Sequence, residues 1–128
     1  IAHLKAVDDD AFVACVDIGH AEMFNDEIVT APKMIRALGP YVQALHVHDN
    51  DKRFDSHQLP GTMKIDFDAV IDALVDINYQ GDLTLECDNY VYQSTKNNLE
   101  DRIKQMAIVA RQLADLFEKK MKEKCTRK

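Results

Sequence analysis

Three short apolar segments, residues 12–16, 44–47 and 83–85, alternate along the chain with three stretches whose apolar residues recur at spacings of three and four. This alternation of strand-type and helix-type segments constrains the fold most, because it is the signature of parallel βα units. The first segment, F-V-A-C-V, is a continuous apolar run of the kind buried on both faces of a parallel sheet. The second, A-L-H-V, runs straight into a cluster of His46, His48, Asp49, Asp51, Asp55 and His57 without a helical stripe. The third, L-T-L, ends in Glu86.

The intervening segments carry helix signals. Thr30 is placed as an N-cap with Pro32 in the first turn, Met34, Ile35 and Leu38 follow, and Gly39-Pro40 stops the helix. Asp66 can cap a second helix bearing Phe67, Val70, Ile71, Leu74 and Ile77, with residues 78–81 as the turn out of it. A long amphipathic helix closes the chain, with Leu99, Ile103, Met106, Ala110, Leu113 and Phe117 on one face and residues 119–128 as a basic, frayed tail. Residues 1–11 read as the end of a helix followed by a solvated acidic turn.

The 128 residues, 46% hydrophobic and 30% charged, suit one globular domain, residues 1–128. Disordered and collagen-like classes are excluded. No run approaches the roughly 20 apolar residues of a spanning helix, and the N-terminus has no signal-peptide core, so a cytoplasmic location is expected. A net charge of −6 disfavours broad nucleic-acid binding and makes a small molecule the expected partner. Cys15, Cys87 and Cys125 are odd in number and widely spaced, which fits a reducing compartment, with Cys15 and Cys87 expected as small core residues of strands. Ile1 stands where an initiator methionine would, so the chain is expected to be a piece of a longer polypeptide.

Parallel sheets of this kind bind ligands at the C-terminal ends of their strands, where the notable polar residues fall. Asp17 and His20 lie one turn apart after the first strand, although an Asp at a strand end also serves as a turn cap. His46 and His48 share a face by strand alternation. His46, beside the apolar residues, is the better ligand, with a structural imidazole as its alternative, and His48 is assigned a supporting or surface place. Asp55 and His57 form a second pair in the loop, with plain solvent exposure as the competing account. Glu86 follows L-T-L directly, and a carboxylate buried there is costly without a cation or proton to compensate it. The Asp, His and Glu set suits Mn²⁺, Mg²⁺, Co²⁺ or Zn²⁺ about equally.

The motifs V-D-I-G-H, L-H-V-H-D-N, D-S-H-Q-L-P-G-T-M-K-I-D-F and I-N-Y-Q-G-D-L-T-L-E resemble the C-terminal part of the xylose isomerase-like TIM barrels, the sugar phosphate isomerase/epimerase superfamily. The resemblance implies an α/β chain of three parallel βα units from a (β/α)8 barrel, the sixth to eighth strands, incomplete as a single chain because a whole barrel takes about 250 residues. It implies Asp17, His46 and Glu86 as ligands of a divalent metal, His20 as a substrate-contacting and catalytic residue, and Glu86 as an exchanger of the carbon-bound proton. His48, Asp55 and His57 are the remaining expected substrate contacts. The family's fourth ligand, a Glu on the preceding strand, has no counterpart here. The implied reaction is isomerisation or epimerisation of a sugar or sugar phosphate through an enediolate. An endonuclease IV-like nuclease resembles the same pattern, with Asp17, His20, His46, Asp55, His57 and Glu86 as a multi-zinc set acting on abasic DNA. A third account is a non-catalytic homo-oligomer that covers its bare strand edges.

Overall fold

The structure, a computed structural model, describes residues 1–23 and 28–126. A short helix α1 (Ala2–Val7) ends at Asp8, whose left-handed backbone turns the chain toward strand β1 (Ala14–Asp17). Helix α2 (Ile18–Glu22) follows at once, capped by the Asp17 carboxylate on the His20 N–H. Helix α3 (Ala31–Leu38) starts at Thr30, whose hydroxyl accepts from the Lys33 N–H, and passes through a 3₁₀ turn (Gly39–Tyr41) into strand β2 (Val42–Val47). A long loop leads to helix α4 (Phe67–Asp76), capped by Asp66 on the Ala69 N–H, then to strand β3 (Thr84–Leu85), helix α5 (Asp88–Tyr92) and helix α6 (Leu99–Thr126).

The strands form one parallel sheet in the order β1-β2-β3. Asp17 is level with His46, His46 with Thr84, and Val47 with Leu85. The Glu86 N–H extends the β2–β3 ladder by donating to the Val47 carbonyl at 2.9 Å. This register brings the residues that end all three strands to one rim of the sheet.

One face of the sheet is covered. Val16, Leu45 and Val47 point into a core made with Ile35, Val70, Ile71, Leu74 and Leu113 from α3, α4 and α6. Full burial of side chains of this size contributes about 1.5–3 kcal/mol each, which makes this layer the main source of cohesion. The alternate residues Cys15, Ala44 and His46 face the other, open side. The expectation that residues 12–16 are buried on both faces is therefore corrected: Phe12 and Val13 precede the strand and are exposed, because the helices cover only one face. Cys15 lies in the strand but is exposed. Cys87 is buried, yet it stands at the start of α5, after the strand has ended.

The last helix also differs from its sequence reading. Val109, Leu113, Leu116, Phe117 and Met121 pack on the core, whereas Leu99 and Ile103 of the expected stripe are exposed. Residues 119–126 are helical rather than frayed, because Lys120 bridges to Asp68 and Asp72 and Lys124 donates to the Val75 carbonyl and Asn78. Arg127 and Lys128 lie outside the described residues.

Candidate metal centre

Asp17 is the hub of the polar rim. Its position between β1 and α2 makes it a helix cap, so Oδ1 accepts from the His20 N–H at 2.9 Å, and the same oxygen stands 3.1 Å from His48 Nε2. Its second oxygen, Oδ2, lies 2.8 Å from His20 Nδ1 and 3.7 Å from His46 Nδ1. Burial by itself would raise this carboxyl, but the His48 hydrogen bond and the His20 N–H outweigh it and hold the group at about 2.

His46 projects from β2 to the open side, its Nδ1 3.1 Å from Glu86 Oε2. Asp17, His46 and Glu86 each present one donor atom within 4.8 Å of the others. Glu86 is less buried than its sequence suggests, with its side chain 38% exposed. Its Oε2 atom alone is sealed from solvent, and it has no hydrogen bond. Two carboxylates and an imidazole converging on one point, with Glu86 Oε2 buried against His46 Nδ1 but without a hydrogen bond, form a donor set that fits a divalent cation.

A second group stands beside the first. His20, His48, Asp55 and His57 also bring donor atoms within 4.8 Å of one another. His20 Nε2 is 3.1 Å from Asp55 Oδ2, and His57 Nε2 is 2.9 Å from Asp55 Oδ1. The hydrogen bond to Asp55 raises His20; burial opposes it, and the charges of Asp17 and Asp55 add to the rise. Burial pushes Asp55 upward, but the His20 hydrogen bond and the neighbouring imidazoles leave it lowered. His57 occupies a left-handed conformation, with φ of 41°, that non-glycine residues adopt at a cost of order 1–3 kcal/mol. Its Nδ1 faces the Glu86 carbonyl and Asp88 Oδ1, both at 3.1 Å.

The loop that carries Asp55 and His57 is built on two buried polar residues. Asp49 is fully buried and accepts from the N–H groups of Asn50, Gly61, Met63 and Ile65, while an Asp49–Gln58 bridge closes the loop's base. Asn50, equally buried, donates to the Gly19 carbonyl and accepts from the Lys52 N–H. Glu22, 6% exposed, pairs with Lys52 at 2.9 Å and accepts from the Ala31 N–H.

The structure thus brings together every residue singled out as a site candidate: Asp17, His46 and Glu86 in one group, and His20, His48, Asp55 and His57 in the next. Asp51 stays apart, its carboxylate capping the Arg53 and Phe54 N–H groups of its own turn. The supporting parts played by Glu22, Asn50 and Asp88 were missed. Asn50 alone carried a signal, as the short amide next to Asp49.

The model of the xylose isomerase-like TIM barrel family matches residues 1–120. The chain belongs to that family. Over 107 residues it is 30% identical to the uncharacterized protein y4fM of Sinorhizobium fredii (strain NBRC 101917 / NGR234), an alignment covering 78% of this chain and 33% of that protein. An L-ribulose 3-epimerase structure is similar with a TM-score of 0.63 and 22% identity over 98% of this chain and 42% of its own. A D-psicose 3-epimerase crystallised in the presence of D-fructose gives 0.65 and 17% over 88% of this chain and 42% of its own. The chain spans one third of the curated relative and less than half of each barrel. Its three parallel strands are accordingly part of a xylose isomerase-like barrel. No helix among the described residues is long and apolar enough to cross a membrane.

Proposed function

We propose that this chain supplies part of the active site of a metal-dependent sugar isomerase or epimerase. The observation that carries the reading is the convergence of Asp17, His46 and Glu86 at the C-terminal rim of three adjacent parallel strands, with Glu86 Oε2 buried and without a hydrogen bond. These three residues would hold Mn²⁺, Mg²⁺, Co²⁺ or Zn²⁺, a nitrogen and oxygen set without thiolate. Such an ion supplies Lewis acidity toward adjacent substrate oxygens. Glu86, its side chain 38% exposed on the open face of the sheet, exchanges the proton on the carbon beside the carbonyl. His20, half exposed, has Nδ1 on Asp17 and Nε2 on Asp55, and would contact a substrate hydroxyl by giving up the Asp55 contact in favour of the substrate. The similarity to an L-ribulose 3-epimerase and a D-psicose 3-epimerase supports a ketose as the substrate class.

The test is hydrogen exchange at that carbon. In the full-length protein, ketose incubated in deuterated water with Mn²⁺ is expected to take up deuterium, and Glu86→Gln is expected to lower the rate by about 10²–10⁴-fold, the usual worth of a positioned base. Wild-type exchange in Glu86→Gln would remove Glu86 from this role.

A second reading is favoured by the second donor group, His20, His48, Asp55 and His57, because two neighbouring groups suit a multi-zinc nuclease. Cleavage of an abasic-site duplex by the Zn²⁺-loaded protein, without deuterium exchange into sugar, would establish it instead.

A further inference from the structure

His48 is the one imidazole of the site with no exposure at all. Its Nε2 faces Asp17 Oδ1, a carboxylate oxygen that can only accept, so Nε2 is the donor of that contact. Its Nδ1 is buried without a hydrogen-bond partner. A side chain kept in place with half of its polar capacity unused is held for its other contacts.

Those contacts run in two directions. Toward β1, His48 and the His20 N–H both fasten Asp17 Oδ1, so the carboxylate presents Oδ2 on the side of His46 Nδ1. Toward the loop, the His48 ring stacks on His57 with centroids 4.0 Å apart and planes 14° from parallel. His57 meets Asp55, Asp55 meets His20, and His20 returns to Asp17, which closes a circuit through both donor groups. Gly19 makes room for the ring: a Cβ there would stand 1.9 Å from His48 Cε1.

We propose that His48 is a positioning residue that couples the orientation of Asp17 to the placement of the loop bearing Asp55 and His57, so that metal site and loop are ordered together. The inference rests on the reading of Asp17, His46 and Glu86 as a metal site. Residues that orient a metal ligand from behind typically change metal affinity by about 10–100-fold when replaced.

The experiment compares His48→Gln, which retains an N–H donor, with His48→Leu, which has none, in the full-length protein; neither stacks on His57. Co²⁺ affinity is measured by titration, and amide hydrogen exchange of residues 51–57 is followed with and without Co²⁺. Wild-type protein is expected to bind Co²⁺ and to slow exchange in the loop. His48→Leu is expected to bind about 10–100-fold more weakly, His48→Gln within about threefold of wild type, and both to lose the slowing. Wild-type affinity in His48→Leu, equal losses in the two variants, or Co²⁺-dependent slowing that survives in both overturns the proposal alone. A wild-type protein that takes up no Co²⁺ overturns the metal reading together with it. If His48→Leu does not fold, His48→Phe, a ring without the N–H, takes its place: weakened affinity is expected, and wild-type affinity overturns the proposal.

Discussion

At the scale of single residues, the site is a set of mutually compensating charges, and pH reads that compensation directly. Asp17 sits at about 2 against an ordinary 3.8, so its stabilising contribution is whole above 3.8 and is lost as pH falls toward 2. His20 is raised above 6.5, so its contribution is whole below 6.5 and drains away as pH climbs through the raised value. The metal-free protein is therefore expected to be most stable between about pH 4 and 6.5. Thermal melts across pH check this: Asp17→Asn should make the acid limb shallower and His20→Gln the alkaline limb, and unchanged limbs would refute the assignment. Asp17, His46 and Glu86 were legible in the sequence because three apolar segments each run into a carboxylate or imidazole at the same end of a parallel sheet, a coincidence that the cap formed by Asp17 on α2 does not by itself explain. The full burial of His48 and the Glu22–Lys52 pair were not, since both depend on how a loop folds back over α2.

At the scale of elements, the outer layer is held by apolar contact more than by its ion pairs. Leu113, on the core face of α6, is 9% exposed. Leu113→Ala is expected to cost about 2–5 kcal/mol of unfolding free energy, within the range for truncating a core leucine. Lys120 bridges two exposed aspartates, and Lys120→Ala is expected to cost no more than about 1 kcal/mol. Denaturant unfolding of the two variants decides the order, and a larger loss for Lys120→Ala would reverse it. The Thr30 and Asp66 caps were readable because capping is local, fixed by a side chain and the N–H three residues on. The core face of α6 was readable at Leu113 and Phe117 but not over its first turns, because the helix meets the core only from Val109 onward and leaves Leu99 and Ile103 exposed. The five-residue helices α2 and α5 are too short to show a period at all.

At the scale of the whole molecule, three strands do not close a barrel. Among the described residues β1 and β3 each pair on one side only, and the inner face carrying Cys15, Ala44 and His46 is uncovered. Such edges pair with other copies when nothing else covers them. Residues 1–128 produced alone are accordingly expected to self-associate, with sedimentation coefficients that rise with concentration; a monomer at all concentrations would contradict this. The alternation of strand and helix made the partial barrel legible, since βα order dictates a parallel sheet, whereas the open inner face was not, because a strand's apolar run does not say which side finds a partner. The central claim is that Asp17, His46 and Glu86 form a cation site. Its most direct test is a Mn²⁺ titration followed by electron paramagnetic resonance on the full-length protein and on His46→Ala. The account predicts saturable uptake in the wild type and a loss of at least about tenfold in affinity in the variant. Equal uptake by both proteins would contradict it.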